Sequence, residues 1–116
     1  MSWKPSTTEV LPDEFDEVIS THHVAVFHFW APWNAYDRTM DQLLGEIADA
    51  YDGQIFIGSI NADNQGHWER CKELRILNVP ALASFVNGQH FETIIGLCSK
   101  ESLNSKVQEW LGAVQI

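Results

Sequence analysis

The sequence predicts an α/β domain in which helices cover both faces of a mixed β-sheet. Two nearly unbroken apolar runs, 24–30 and 55–60, are typical of strands buried on both faces of a sheet. Each run is followed by a stretch with apolar residues at helical spacing. An Asn-Gly pair at 87–88, between two further apolar runs, predicts an antiparallel hairpin. Right-handed crossovers in the order β-α-β-α-β-α-β-β-α place helices on both sides of the sheet.

The N-terminal region is predicted to contain a loose tail, a short strand and a helix. Residues 1–6 form the tail and residues 7–10 an edge strand. The first helix is predicted from Leu11 to about Ser20, because proline suits a first turn and the helix dipole favours acidic residues there. Its predicted buried residues are Phe15, Val18 and Ile19.

The strand at 24–30 leads directly into a long helix, predicted from about Asn34 to Tyr51. Apolar residues share one face of this helix: Met40, Leu43, Leu44, Ile47, Ala48 and Tyr51. A buried strand that feeds a helix directs unpaired backbone N–H groups and the positive end of the dipole to one spot. Because α/β proteins usually bind ligands at such a spot, we expect the functional site at residues 33–37.

The C-terminal half is predicted to hold a third strand, a short helix, the hairpin and a final helix. The short helix runs from Asn64 to about Leu74 and turns Trp68, Cys71 and Leu74 inward. The hairpin strands are 82–86 and 91–95. The final helix begins near Ser99 and presents an apolar face made of Leu103, Val107, Trp110, Leu111 and Val114.

Length and charge limit the function classes. A chain of 116 residues is predicted to form a single domain over 1–116, with its core at about 7–113. The net charge of −9 disfavours nucleic acids and anionic membrane surfaces as partners. No apolar run approaches the ~20 residues of a membrane span, and the N-terminus lacks the apolar segment of a signal peptide. We therefore expect a cytoplasmic protein.

Four short motifs carry a resemblance to a known family. They are Phe29-Trp30-Ala31-Pro32-Trp33, Val79-Pro80, Asn87-Gly88 and Gly96. Together they resemble the thioredoxin family over roughly residues 7–113. The resemblance implies the thioredoxin fold, with a mixed central sheet and helices on both faces, and a cis proline at Pro80. It also implies a Cys-x-x-Cys pair directly after Trp33, where this chain has Asn34-Ala35-Tyr36-Asp37.

The residues at the two cysteine positions cannot perform dithiol chemistry. Disulfide exchange needs a thiolate nucleophile at the helix N-terminus and a second thiol to resolve the mixed disulfide. Asn34 and Asp37 supply neither, so no catalytic residues are expected at these degenerate redox positions. Asparagine is a favoured N-cap residue, and a carboxylate in the first turn is favoured by the dipole. We therefore predict that both residues stabilise the start of the helix.

His28 occupies a position where the resemblance implies an inward acidic residue that moves protons for the cysteines. Within an apolar strand, the histidine is either a buried neutral imidazole with one hydrogen-bond partner or a proton-linked member of a pair with Asp37 or another carboxylate. Ser59 stands where the family often has a lysine. The proton-handling groups that the resemblance implies are thus replaced together with the thiols.

The resemblance also implies a groove that grips extended peptide segments by backbone pairing. The matching positions are Trp33, Val79, Pro80 and Gly96, and we add Tyr36 because an exposed aromatic residue at this site favours recognition. The expected partner is a protein or an extended peptide segment bound near Trp33 and Pro80. The other interpretation of Trp33 and Tyr36 is that they are packing residues.

Three functions remain open from the sequence. The first is a redox-inactive thioredoxin-like protein that binds partners as an adaptor or chaperone-like module. The second is an atypical thiol-disulfide oxidoreductase in cell redox homeostasis that uses Cys71 or Cys98. The third is a metal-binding or small-ligand domain, for which the scattered histidines lack the spacing of a zinc site. No cofactor and no metal site are predicted.

Overall fold

The computed structural model describes residues 3–114, where five β-strands form a mixed sheet flanked by four α-helices. The strands are β1 (Thr8–Glu9), β2 (Val24–Trp30), β3 (Phe56–Asn61), β4 (Ala81–Val86) and β5 (Gln89–Ile95). The helices are α1 (Phe15–Thr21), α2 (Tyr36–Ala50), α3 (Trp68–Glu73) and α4 (Lys100–Gly112). Short 3-10 helices at Pro12–Glu14 and Gln65–His67 precede α1 and α3. The predicted fold class and the predicted order of elements are confirmed.

Strand β2 lies at the centre of the sheet, whose strand order is β1-β3-β2-β4-β5. It pairs in parallel with β3 and antiparallel with β4, and β5 completes the hairpin at the far edge. All seven residues of β2 are buried, as an uninterrupted apolar run predicts. The register sets His28 beside Ser59 on one side and Leu82 on the other.

Alternate residues of β2 enter two separate apolar cores, one on each face of the sheet. Val24 and Val26 belong to the core that α2 and α4 cover, together with Met40, Leu44, Ile47, Leu103, Val107 and Trp110. Ala25, Phe27 and Phe29 belong to the core on the α1 and α3 face, together with Phe15 and Leu74. His28 has the same parity as Val26, so it points to the face that α2 covers.

Several predicted boundaries, and the predicted loose tail, differ from the structure. The first strand contains only Thr8–Glu9, and α2 begins at Tyr36 rather than at Asn34. The described part of the predicted tail is packed against the domain, because Pro5 is buried and the Ser6 N–H donates to Asp41 Oδ1 over 2.9 Å. The Trp3 ring also meets the Trp30 ring edge-on at 5.6 Å between centroids. Residues 1 and 2 of that tail lie outside the described residues.

The prediction that Trp68 points inward is wrong. The chain enters α3 through the 3-10 helix Gln65–His67, which has about three residues per turn rather than 3.6. This shorter period moves the inward direction by one residue, so His67 is buried and Trp68 is 52% exposed. Leu74 is buried as predicted, and Cys71 is half-buried.

No helix between residues 3 and 114 is long and apolar enough to cross a membrane.

Candidate functional site

The candidate site lies where β2 ends and α2 begins, next to the loop that precedes β4. The Val79–Pro80 peptide bond is cis, as the resemblance predicted. Gly96, with a positive φ of 91°, lies on the other side of this loop and donates its N–H to the Pro80 carbonyl over 2.8 Å. Three segments that are distant in sequence therefore meet around Asn34, Pro80 and Gly96.

Asn34 connects two of these segments through its side chain. Its Nδ2 donates to the Val79 carbonyl over 2.9 Å, and its Oδ1 accepts the Tyr36 N–H over 2.9 Å. The predicted N-cap role needs correction, because the residue at the N-cap of α2 is Ala35. Asn34 lies one residue earlier, in a turn that asparagine side chains commonly stabilise by bonding a backbone N–H two residues ahead. The amide still satisfies one unpaired donor of the helix start.

Asp37 is completely buried, although it lies in the first turn of α2 as predicted. Its Oδ1 lies 2.8 Å from Nε2 of the equally buried His28, and its Oδ2 accepts the Ala31 N–H over 3.0 Å. The structure shows that the hydrogen-bond partner of His28 is Asp37, which fits both interpretations of this histidine. The carboxylate thus ties the central strand, the loop after it and the helix together.

The other ring nitrogen of His28, Nδ1, is buried and has no hydrogen-bond partner within residues 3–114. Its neighbour Ser59 is buried too, and the Ser59 hydroxyl makes only long contacts of 3.4 Å to the Thr7 and Thr8 carbonyls. The serine hydroxyl is neutral, so it does not bring the charge that a lysine would bring to this position. His28 therefore has Asp37 as its single hydrogen-bond partner on this face of the sheet, within the described chain.

An open apolar groove of about 410 Å³ runs beside the site. Its lining includes Trp33, Trp68, Leu77 and Val79. Three of these side chains are strongly exposed for apolar groups, at 67% for Trp33, 52% for Trp68 and 85% for Leu77. The Trp33 indole N–H donates to Asp63 Oδ1 over 3.3 Å.

The predicted partner-binding residues are only partly united by this groove. Trp33 and Val79 line it, whereas the exposed Tyr36 does not. Pro80 and Gly96 also lie outside its lining. Sequence reasoning missed Trp68 and Leu77 as groove residues. Helical spacing predicted an inward Trp68, and no sequence pattern distinguished Leu77 from other loop residues.

Both backbone polar groups of Val79 are already bonded within the chain. Its N–H donates to the Asn78 side-chain oxygen over 2.9 Å, and its carbonyl accepts from Asn34. A backbone N–H has a single proton to donate. The backbone pairing that the resemblance implies at Val79 would therefore require the Asn78 side chain to move away.

The two cysteines lie on opposite faces of the sheet. Cys71 lines the groove and packs against the core below α1 and α3, whereas Cys98 packs against the core below α2 and α4. Both are free thiols, and burial raises the pKa of Cys71 and the pKa of Cys98. A raised pKa lowers the thiolate fraction at neutral pH and so lowers nucleophilicity.

Within the described range, no group of three or more His, Cys, Asp and Glu side chains is arranged to hold a metal ion.

Comparisons with known proteins agree with the geometry. A family model described as Thioredoxin matches residues 6–109. Over 107 residues the chain is 30% identical to a thioredoxin from Pyropia yezoensis, an alignment that covers 91% of this chain and 98% of that protein. It is 29% identical to a thioredoxin from Porphyra purpurea over the same length, with the same coverage.

Solved structures agree on the fold. A mutant thioredoxin from Halobacterium salinarum superimposes with a TM-score of 0.79 at 20% sequence identity, covering 97% of this chain and 95% of that one. Mitochondrial thioredoxin 3 from Saccharomyces cerevisiae superimposes with a TM-score of 0.78 at 22% identity, covering 90% and 95%. The thioredoxin fold predicted from the sequence motifs is thereby confirmed.

Proposed function

This chain belongs to the thioredoxin family, and we propose that it is a member that binds partner proteins without dithiol chemistry, as an adaptor or chaperone-like module. One observation carries the proposal: the residues at the two redox positions are bound into the fold. The Asn34 side chain donates a hydrogen bond to the Val79 carbonyl. The Asp37 carboxylate is hydrogen-bonded to His28 and accepts the Ala31 N–H. Neither side chain has a thiol, and neither is free to leave its partners without disturbing the start of α2.

The apolar groove supports the binding part of the proposal. Trp33 has two thirds of its side chain in solvent and a single hydrogen bond to the exposed Asp63, so it contributes little to the core. Binding energy in protein interfaces is concentrated in such aromatic anchors. Without a thiol for covalent capture, affinity for a partner must come from these non-covalent contacts.

Reduction of insulin in the presence of dithiothreitol tests the absence of dithiol chemistry. We expect the wild-type protein to give the rate of dithiothreitol alone, because a buried thiol with a raised pKa attacks disulfides slowly. A thioredoxin with its dithiol intact serves as the positive control. Turnover at a thioredoxin-like rate would contradict the proposal.

The second candidate function is an atypical thiol-disulfide oxidoreductase, which the position of Cys71 in the groove favours. Its raised pKa argues in the opposite direction. The variants Cys71→Ser and Cys98→Ser decide between the two functions in the same assay. Activity that is lost in Cys71→Ser but retained in Cys98→Ser would assign the chemistry to the groove thiol, since Cys98 lies on the other face of the sheet.

A further inference from the structure

Resting on the proposed partner-binding function, we infer that the groove receives an amphipathic helix of a partner protein, with acidic residues beside its apolar stripe, rather than an extended strand. The inference depends on three features of the groove: the occupied backbone of Val79, the exposed apolar side chains, and the ammonium group of Lys72.

The occupied backbone disfavours a strand. An extended peptide gains its affinity in strand addition from main-chain hydrogen bonds to a free edge. At Val79 the N–H is bonded to Asn78 Oδ1 and the carbonyl to Asn34 Nδ2, both over 2.9 Å. A strand would have to displace a bond that the chain already makes. A helix bonds its own backbone internally, so it needs only side-chain contacts from the groove.

The shape of the groove suits the apolar side of a helix. Trp33, Trp68 and Leu77 are three exposed apolar side chains that line one open groove of about 410 Å³. Helices that dock in such grooves insert apolar side chains at positions i, i+3, i+4 and i+7. The half-buried Ile76 and Val79 provide an apolar floor for those side chains.

The charge at the groove favours acidic residues beside the apolar stripe of the partner helix. Among the residues that line the groove, Lys72 is the one with a charged side chain. Arg70, on the same helix, is instead paired with Asp16 and Glu73. Lys72 lines the groove itself, and its only ion pair in the described chain is a contact of 3.5 Å to the highly exposed Glu69. Asp63, which follows the lining residue Ala62 in sequence, already accepts the Trp33 indole N–H. A partner carboxylate above Lys72 therefore meets the one cationic side chain that lines the groove.

Selection from two displayed peptide libraries against the full chain tests the inference. One library carries apolar residues at helical spacing and the other carries them in strict alternation, with equal composition and randomised polar positions. We expect the helical library to yield binders that are enriched in Asp and Glu beside the apolar stripe. In titrations, a selected peptide should bind Trp68→Ala and Leu77→Ala at least about tenfold more weakly than the wild type. Its affinity for the control Leu11→Ala should be unchanged, because the Leu11 side chain is exposed outside the groove.

Two charge-reversal substitutions test whether acidic residues flank the apolar stripe of the partner helix. Lys72→Glu should weaken the binding of a selected peptide by about tenfold, whereas Lys100→Glu should leave its binding unchanged. Both lysines make an exposed ion pair of 3.5 Å and both changes alter the net charge equally, but Lys72 lines the groove and Lys100 does not. If the two substitutions change peptide binding equally, the proposal that acidic residues flank the apolar stripe of the partner helix is overturned.

The outcomes separate this inference from the function on which it rests. Binders from the alternating library alone, dependent on Trp33, would overturn the helical occupant and leave the partner-binding function intact. Binders from neither library would overturn both.

Discussion

The Asn34 side chain donates a hydrogen bond of 2.9 Å to the Val79 carbonyl and so joins the start of α2 to the cis-proline loop, 45 residues away in sequence. The same amide accepts the Tyr36 N–H through its oxygen. A cysteine at this position could make neither bond with comparable strength, because a thiol is a weak donor and a weak acceptor. The residue at the first redox position therefore acts as a structural link between two segments that line the site.

Replacement of Asn34 by alanine should destabilise the fold by about 1–2 kcal/mol, since it removes one helix-start acceptor and one donor to a backbone carbonyl. Urea denaturation of the wild type and the variant measures this difference. Asn34→Asp is a second variant: it keeps an oxygen for the Tyr36 N–H, loses the donor to Val79 and adds a negative charge that the dipole of α2 favours. We expect its stability to lie between the other two, and equal midpoints for all three proteins would contradict the structural role of Asn34.

Removal of the Asp37 carboxylate should lower the free energy of unfolding more than Asn34→Ala does. Asp37→Ala leaves the buried Nε2 of His28 and the Ala31 N–H without a partner, at a cost of about 2–4 kcal/mol. His28→Leu removes the other member of the pair. The double variant should be more stable than the sum of the two single effects predicts, by about 1–3 kcal/mol, because the two groups interact directly. Additive effects in the denaturation cycle would show that the pair contributes no coupling energy.

Much of the fold could be predicted from local sequence. The bounds of β2 were predicted correctly because an apolar run buried on both faces allows little freedom, and the hairpin followed from Asn87-Gly88. The site was harder to predict. No spacing rule predicts the hydrogen bonds that the Asn34 and Asn78 side chains make to the Val79 backbone, because these bonds depend on three-dimensional positions. Trp68 was misplaced because one 3-10 turn changes the period that helical patterns assume.

The buried His67 should make stability depend on pH. Burial lowers its pKa below the usual 6.5 and the charge of Arg70 acts in the same direction, while the Val10 carbonyl and Glu9 oppose them. Because the pKa is lower in the folded state, the unfolded chain binds more protons in this range. The contribution of neutral His67 is thus fully present above pH 6.5 and is lost as the pH falls through the folded-state pKa.

Denaturation at about pH 7.5 and about pH 5.5 measures this effect. The wild type should lose more stability between the two conditions than His67→Gln, which keeps a polar side chain but does not titrate. The exposed His23→Gln serves as the control and should behave as the wild type does. If His67→Gln loses as much stability as the wild type between the two pH values, groups other than His67 cause the acid sensitivity.

Truncation of Trp33 should separate binding from stability. Trp33→Ala removes a side chain that is 67% exposed, so the free energy of unfolding should change little. Binding of a partner recovered by pull-down should weaken by about 30-fold, which corresponds to ~2 kcal/mol. Asn34→Ala should show the reverse behaviour, with lower stability and little change in affinity. A Trp33→Ala variant that melts early but binds normally would show that Trp33 is a packing residue and that partners bind elsewhere.

Restoration of the two thiols should give a poor thioredoxin. In Asn34→Cys with Asp37→Cys, the start of α2 would lower the pKa of the first thiol, which favours attack on disulfides. The same two changes remove the link to Val79 and both hydrogen bonds of Asp37, and they leave His28 buried beside a thiol. We therefore expect measurable but slow reduction of insulin and a less stable protein. The triple variant with His28→Asp restores the acid that the family places behind its cysteines, and it should reduce insulin faster than the double variant. Full thioredoxin-like activity of the double variant would mean that His28 and the intervening Ala35-Tyr36 have little influence on the chemistry of this site.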